Sequence, residues 1–412
     1  MPVTSLLIIP SVQGTIPAYM LAFVSAFCVL VGRDDGQSNL QRNRYFTLAL
    51  AIAGIWLLLL CGSQIGHLLS NRHDFGDMVL INPADTRVVL RTAMFTQSLY
   101  LAACVCIALF FRFFFRPEWM RYVLWGAWFL AIYGIYEWLF YFIFHQPGDF
   151  IANRTYGEDF HPGSWSQGIV IGPFSLVRIK STFGEPSWFS AGVIPYLFLA
   201  LENKRKWLSA ALLFCLVFSM STSAFVAFPF ALILQSLFRR KLSGSIIVVV
   251  LLFAAAFATL YFLYPETFYQ MFVAKMGGEN DSGQVRQDAG AAMKETAETF
   301  TLINRLFGIG FGYYYGGVFF AVLVNTGWIG LLVYFYAFLK PVIMLRSEEG
   351  NIALKVALGT LLFLFYISVS ELFLPTTWMF LGLAYWRLDQ QRQSKQLPDL
   401  EAPDLSMVPS LK

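Results

Sequence analysis

Charged residues are scarce in this chain of 412 residues: Asp, Glu, Lys and Arg together make up 13% of it, and there are 4 His. Hydrophobic residues make up 57% and aromatic residues 17%, with a mean hydropathy of +0.60. About a quarter of the residues of a typical soluble domain are charged. The composition therefore excludes a soluble globular protein and predicts a polytopic membrane protein. No nucleic-acid partner is expected.

Metal, redox and disulfide signals are also missing. No CxxC spacing occurs, and all five cysteines fall inside apolar runs, where they are expected to be small buried or lipid-facing residues without disulfides. The four histidines show no HxxxH or HExxH spacing and are interpreted as separate surface residues. The sequence thus predicts no metal and no cofactor. The first twenty residues lack the basic region of a signal peptide, so we expect them to be retained.

Long apolar runs predict an all-α transmembrane helical bundle of about eleven spans, with ten to twelve possible. Clusters of Lys and Arg in short loops are placed in the cytoplasm, which puts the N-terminus outside. Nine spans are expected at 16–32, 45–65, 88–111, 122–144, 188–201, 246–264, 318–338, 356–370 and 376–386.

Residues 207–238 could form one steeply tilted helix or two short helices that turn at SMSTS. One helix would move the later positive clusters to the outside, so the positive-inside bias favours the two-helix hairpin. Serine and threonine side chains at the turn can satisfy backbone groups that the break exposes.

Two long segments, 145–187 and 265–316, are then external. Loops of this length in a compact bundle are usually functional. Residues 282–307 predict an amphipathic helix, capped by Ser282, that lies over the outer mouth of the bundle. The chain divides into N-terminal helices (1–144), a core with both external segments (145–340), C-terminal helices (341–390) and a disordered tail (391–412).

Cations in the external segments are few, so an anion site must come from two or three that converge. The planar guanidinium fork of Arg suits a diphosphate. Arg178 and Lys180 in the first segment, and Arg286 and Arg305 in the second, are the candidate residues. The alternative is that each pairs with a nearby carboxylate or extends to the lipid headgroups; Arg91, near the start of a span, is expected to extend outward in this way.

Two carboxylates are expected at the outer membrane boundary. In FGEPSW, Pro186 favours an extended Glu185 and can occupy the first turn of the next helix. Glu185 is then either a structural anion at the helix N-terminus, a partner of an Arg, or a general base. Glu371, in SVSELFLP between two apolar runs, is a functional candidate because ionisable residues at this depth are expensive.

The segment GIGFGYYYGG (308–317) matches neither a P-loop nor a GxGxxG pattern. Gly310 and Gly312 are expected to allow a tight turn against a ligand or a neighbouring helix. Tyr313 and the two tyrosines after it offer ring faces on which sugars can stack.

These motifs, in their order and spacing over residues 170–340, resemble the bacterial O-antigen polymerase and O-antigen ligase superfamily. The similar parts are RIKSTFGEPSWFSAG, the SMSTSAFVAF turn, an outer segment that contains Arg286, and NRLFGIGFGYYYGG followed by a span that contains TGWIG. The first 150 residues agree only in being spans.

The resemblance implies a GT-C-like, metal-independent glycosyltransferase of the bacterial inner membrane, with its active site on the periplasmic side. Its substrates would be undecaprenyl-diphosphate-linked glycans, and a flippase and a chain-length regulator would be partners besides membrane lipids. Ligases of this group carry a His–Asn pair after the Gly-rich turn, whereas YYYGGVFFAVLVNTG has no His, which favours a polymerase. In this interpretation Arg178 and Arg286 bind the leaving diphosphate, Glu185 or Glu371 acts as base, and Lys180, Arg305, Gly310, Gly312, Tyr313 and Glu371 contact substrate. A flippase or transporter of lipid-linked sugars is the main alternative.

Overall fold

The computed structural model describes residues 2–10, 12–32, 36–70, 75, 78–154, 167–171, 174–241, 244–277, 279, 290, 294, 298, 300–367 and 369–396. Within these ranges the chain is predominantly helical. The long helices are α1 (Pro17–Val31), α2 (Gly36–Leu69), α3 (Thr92–Phe114), α4 (Met120–Phe144), α5 (Pro186–Glu202), α6 (Lys206–Phe218), α7 (Thr222–Arg239) and α8 (Gly244–Leu263). Shorter helices follow at α9 (Pro265–Phe268), α10 (Ala274–Gly277) and α11 (Leu302–Phe307), and the chain continues with α12 (Val318–Met344), α13 (Ile352–Ile367) and α14 (Pro375–Gln396).

Each predicted span overlaps a helix, with bounds that differ by up to ten residues. Five helices are long and apolar enough to cross a membrane, which supports an all-α membrane protein: Asn39–Leu69, Thr92–Phe114, Pro117–Phe144, Thr222–Arg239 and Val318–Met344. Several others, such as α1, α6 and α13, are apolar but shorter. The number of spans and the GT-C-like architecture therefore stay predictions.

The predicted break within residues 207–238 is confirmed. Helix α6 ends at Phe218 and α7 begins at Thr222, with Met220 in a left-handed conformation between them (φ 45°). The Ser219 hydroxyl donates to the carbonyl of Leu216, which satisfies one of the groups at the helix end.

The centre of the bundle is formed by α5 and α13, which pack against each other. From Pro186 to Ala200 nearly every residue of α5 is buried, and α13 is buried on most of its circumference. Helices α1, α3 and α14 pack around one side of this centre, and α4 packs against α6 on another. A helix that is apolar all round is expected in such an enclosed position.

Three predictions about connecting segments need correction. The first external segment contains a short antiparallel hairpin, β1 (Gly168–Ile171) and β2 (Phe174–Val177), that an all-α interpretation did not include. Residues 391–396, predicted to begin a disordered tail, continue α14 to Gln396.

The single helix predicted at 282–307 is also wrong at its C-terminal end. Phe300 and Thr301 are not helical, and the Thr301 side chain caps α11 by accepting the Asn304 N–H. Gly290, Lys294 and Glu298 are helical, while Ser282 and most of its neighbours lie outside the described residues. The position of this helix over the bundle stays a prediction.

Candidate functional site

A polar cavity of about 170 Å³ lies where the Gly-rich segment meets the connection between α13 and α14. Its walls come from α1, α3 and α12, the start of the first long segment, the connection between α2 and α3, the Gly-rich segment, and the connection between α13 and α14. The polar side chains that line it are Gln97, Arg154, Tyr315, Asn325, Ser370 and Glu371.

Arg154 and Glu371 form an ion pair across this polar cavity. The guanidinium nitrogen and the carboxylate oxygen are 3.8 Å apart, and the side chains are 17% and 13% exposed. Arg154 also donates to the side-chain oxygen of Gln13 at 2.9 Å and to the carbonyl of Thr4 at 3.2 Å. These contacts hold the guanidinium over the cavity, while the long ion-pair distance leaves room for another anion to compete for it.

Burial raises the pKa of Glu371, although the Arg154 charge and the Phe373 N–H act in the opposite direction. The N–H of Phe373 donates to its carboxylate at 3.2 Å. A desolvated carboxylate accepts a proton more readily than an exposed one, so Glu371 has the chemistry that a general base needs.

A second pair of opposite charges, Arg178 and Glu185, interacts electrostatically, and neither side chain lines the polar cavity. Arg178 donates to the carbonyl of Ser219 at 3.2 Å and to the side-chain oxygen of Gln167. Burial lowers the pKa of Arg178 to about 10, and the charge of Glu185 partly opposes this shift. Glu185 is extended (φ −138°, ψ 151°) directly before α5, with Pro186 in the first turn as predicted. Its carboxylate accepts the Ser187 hydroxyl at 3.0 Å and does not cap the helix.

Ser370 connects the second pair to the first. The indole N–H of Trp188, three residues after Glu185, lies 3.4 Å from the Ser370 hydroxyl, which is also 3.1 Å from the Tyr315 hydroxyl. Burial is the main cause of the raised pKa of Glu371, and the negative charge of Glu185 adds a smaller contribution in the same direction. Arg154 and Glu371 thus line the polar cavity, and Glu185 is close enough for its charge to act on both Glu371 and Arg178.

The Gly-rich segment forms one wall because its glycines allow close backbone packing. Gly310 and Gly312 have φ of 132° and 82°, backbone conformations that residues with a side chain rarely adopt. A Cβ on Gly312 would lie 2.6 Å from Gln97 Cβ, so this turn packs against α3. The neighbouring-helix alternative for Gly312 is confirmed, and its contact with a ligand stays a prediction.

Helix α12 is interrupted at Gly327, and this break positions the Gly-rich segment. Gly327 has φ 66° and ψ −170°, which frees the carbonyls of Val324 and Asn325 from the helix. They accept the N–H groups of Ile309 and Gly310 at 2.9 and 3.1 Å. The Asn325 amide further pairs with both backbone groups of Tyr314, at 2.7 and 2.9 Å.

At the break in α12, the backbone around Gly327 packs directly against the backbone that runs from α11 into the Gly-rich segment. A Cβ on Gly327 would overlap the Leu306 carbonyl, and one on Gly308 would overlap the Asn325 carbonyl. Helix α11 is held from its other side by α2, where Gly62 and Gly66 leave space for Phe307 and Asn304. The discontinuity is therefore built into the packing of three helices.

Tyr313 points away from the polar cavity into a packed cluster. Its ring is fully buried and stacks on His67, with 5.8 Å between centroids, and Arg91 lies 5.6 Å from its centre. Its hydroxyl donates to Gln64 at 3.0 Å. This burial argues against the predicted contact of Tyr313 with a sugar; Tyr315, which is 40% exposed, offers a better placed ring.

The same cluster overturns two surface assignments. His67 is buried and its Nε2 contacts the carbonyl of Ile309, so the interpretation of the histidines as surface residues is wrong for this one. Arg91 was expected to extend outward but is 1% exposed, and it donates to the carbonyls of Asn82 and Arg87 at 2.8 and 3.2 Å.

Lys180 also lies away from the polar cavity. Its ammonium, 1% exposed, contacts the Asp149 carboxylate and lies 3.7 Å from that of Glu137. Burial alone would raise the pKa of Asp149, but the Lys180 charge and hydrogen bonds outweigh it and the pKa lies below its usual value. This environment gives Lys180 the geometry of a structural ion pair, and its predicted substrate contact gains no support.

Arg305 and Arg286, the remaining predicted cations, are not found at the polar cavity in the described part of the chain. Arg305 is exposed on α11, and Arg286 lies outside the described residues. The residue that sequence reasoning overlooked is Arg154: it stood among the external cations, but no pattern marked it as the partner of Glu371. Within the described part of the chain, no three His, Cys, Asp or Glu side chains form a group that could hold a metal ion.

Comparison with protein-family models, with curated proteins and with solved structures yields no match to this chain.

Proposed function

We propose that the protein is a membrane glycosyltransferase that polymerises undecaprenyl-diphosphate-linked oligosaccharide repeat units at the periplasmic face, for an O-antigen, capsule or exopolysaccharide. The observation that carries the proposal is the Arg154–Glu371 ion pair in the polar cavity, with Glu185 close enough for its charge to act on both Glu371 and Arg178. The family resemblance covers the segment that supplies Arg178 and Glu185, and it adds the substrate class.

The two arginines provide the diphosphate site. Each guanidinium can offer two parallel N–H groups to phosphate oxygens. Negative charge builds on the diphosphate as the sugar leaves, so fixed positive charge stabilises the transition state more than the ground state. Arg154 takes a place in this scheme that the sequence had given to Arg286, which stays a candidate for a third contact.

One of the two carboxylates takes the proton of the acceptor hydroxyl. That oxygen attacks the anomeric carbon of the donor, the bond from this carbon to the diphosphate oxygen breaks, and its electron pair stays on the diphosphate. Glu371 is assigned this role, because it lines the polar cavity and burial raises its pKa. A diphosphate that draws Arg154 away would leave Glu371 still more basic.

An O-antigen ligase would use the same chemistry with a lipid A core as acceptor. The absence of a His after the Gly-rich turn favours a polymerase. His67 of α2 does not replace it, because its Nε2 contacts the backbone carbonyl of Ile309.

A second function is favoured by one feature, the helix break at Gly327. Discontinuous helices line substrate sites in many transporters, where freed backbone groups bind the cargo. Here the freed carbonyls are already paired with the Gly-rich segment. A flippase of lipid-linked sugars therefore ranks second.

The test is chain growth by purified protein supplied with lipid-linked repeat units. Arg154→Ala and Arg178→Ala should each lower turnover by about 10² to 10³-fold, the size of the loss when one transition-state donor is removed. The corresponding Arg→Lys variants should recover only part of the lost turnover, because an ammonium group lacks the bidentate fork of a guanidinium. Arg87→Ala, which removes a cation from an exposed ion pair with Asp85, is the matched control.

Near wild-type growth in both Ala variants would overturn the proposed diphosphate site. If the wild type makes no polymer but moves lipid-linked units across liposome membranes, the flippase assignment replaces the polymerase.

A further inference from the structure

An apolar groove of about 370 Å³ lies between α2, α3, α12 and α14. Its lining residues recur every three or four positions at 48–59 on α2, 101–112 on α3, 322–340 on α12 and 378–385 on α14, and Arg392 follows two turns later on α14. This spacing means that each helix presents one face to the groove. The rows on α3 and α14 are about 17 and 21 Å long at 1.5 Å per residue, slightly longer than one leaflet of a hydrocarbon core roughly 30 Å thick.

A cation ends the row on three of the four helices. Arg112 is the last lining residue of α3, Lys340 of α12 and Arg392 of α14. All three belong to segments whose positive charge predicts a cytoplasmic location. The groove therefore has an apolar body and a basic end at the cytoplasmic boundary.

The positive charge at this end is only partly neutralised. Arg112 pairs with Asp389 at 2.8 Å and lies 4.8 Å from the centre of the Tyr385 ring. Lys340 lies 5.2 Å from the centre of the Tyr336 ring. Among the described residues, no carboxylate is within 4.0 Å of Lys340 or Arg392.

We propose that this groove binds a phospholipid with an anionic headgroup from the cytoplasmic leaflet, with an acyl chain along the apolar body and the headgroup phosphate on Lys340, Arg392 and Arg112. Basic pockets between helices on the cytoplasmic side suit anionic headgroups. The opposite end of the groove reaches Phe311 and Leu372, which also line the polar cavity. A lipid with its diphosphate in the polar cavity would leave the basic end unused, so the charge distribution favours a lipid that enters from the cytoplasmic side.

The experiment measures which lipid stays with the purified protein when dioleoyl phosphatidylglycerol and dioleoyl phosphatidylcholine compete at equal concentration, read by native mass spectrometry. Wild type should retain phosphatidylglycerol preferentially. The double variant Lys340→Gln with Arg392→Gln should lower the preference about 25-fold, since each basic residue near the headgroup contributes about fivefold. The control Arg121→Gln with Arg346→Gln removes the same charge on the same predicted side without touching the groove, and should change the preference less than twofold.

A second pair of variants tests the apolar body. Val333 lines the groove, whereas Leu332, its neighbour on α12, is 66% exposed and does not. Val333→Trp should reduce retention of phosphatidylglycerol and Leu332→Trp should not, with both eluting as monodisperse protein.

Equal retention of the two lipids by wild type, or a preference unchanged in the double variant, would overturn the proposal. Displacement of phosphatidylglycerol by undecaprenyl phosphate, unaffected by the Lys340 and Arg392 substitutions, would assign the groove to a polyprenyl tail and overturn it as well. None of these outcomes depends on whether the protein polymerises sugars.

Discussion

Arg154 and Glu371 form their 3.8 Å ion pair between two connecting segments, one after α4 and the other between α13 and α14. Each side chain also makes hydrogen bonds on its own side: Arg154 donates to Gln13 and to the Thr4 carbonyl, and Glu371 accepts the Phe373 N–H. Through Arg154 the pair joins the irregular N-terminal segment to the connection before α14 at the polar cavity, and in the proposed reaction a diphosphate would separate the two side chains.

The pH dependence of chain growth should show Glu371 as a base with a raised pKa. Burial disfavours its ionised form, so turnover should rise with pH along a limb centred above the ordinary Glu value of about 4.3. Glu185→Gln should move this limb to lower pH, because a like charge that raises the pKa is removed. Glu371→Gln should abolish the limb together with most turnover. A limb that keeps its position in Glu185→Gln would show that the two carboxylates do not interact.

Adding a side chain at Gly308 or Gly327, where the two backbones cross, should destabilise the fold. Gly308→Ala and Gly327→Ala place a Cβ against backbone at φ of 76° and 66°, and the backbone strain alone costs about 1–3 kcal/mol. Both should lower the thermal unfolding midpoint in detergent by several degrees. Gly54→Ala is the matched control: it lies in α2 with no atom within 4 Å of an added Cβ, and it should be neutral or stabilising. Equal midpoints for Gly327→Ala and Gly54→Ala would contradict the break in α12.

Lys180 should act on stability and not on substrate affinity. Lys180→Met leaves Glu137 and Asp149 buried without their cation and should destabilise the fold by about 3–5 kcal/mol. Adding Glu137→Gln and Asp149→Asn removes the uncompensated charges and should recover most of the unfolding midpoint. A Lys180→Met protein with an unchanged midpoint and a raised KM would instead support the substrate contact predicted from the sequence.

The predicted sidedness can be tested by labelling in a variant whose five cysteines are replaced by Ala. A cysteine at exposed Ser175 on β2 should react with a membrane-impermeant maleimide added from the periplasmic side. A cysteine at Lys204, between α5 and α6, should react only after the membrane is permeabilised. The reverse pattern would place the polar cavity in the cytoplasm and remove the basis for a periplasmic transferase.

The positions of the helices could be predicted because apolar runs and charged ends are local signals. The same holds for the extended Glu185 before Pro186 and for the break at SMSTS, where proline and hydroxyl side chains act on their own backbone. Both features are properties of consecutive residues.

The interior contacts could not be predicted in this way. The burial of Arg91 depends on carbonyls of Asn82 and Arg87 and on the Tyr313 ring, which are brought together only by the fold. Charge and spacing in the sequence favoured surface positions for Arg91 and His67, because the Tyr313 ring and the Ile309 carbonyl that they contact come from a distant segment. Arg154 escaped notice for the same reason, since its relation to Glu371 appears only when both connections meet.

The interruption at Gly327 also constrains how the chain can be assembled during biosynthesis. The carbonyls of Val324 and Asn325 have no helical partners, and in hydrocarbon such groups are several kcal/mol unfavourable until they are satisfied. Their partners are the N–H groups of Ile309 and Gly310, which are synthesised earlier. These groups reach their positions only when the preceding helix α11 packs against α2. A newly inserted α12 would therefore be a continuous helix, and it would acquire its break only when α11 and the Gly-rich segment dock, so the polar cavity forms as a late event of maturation.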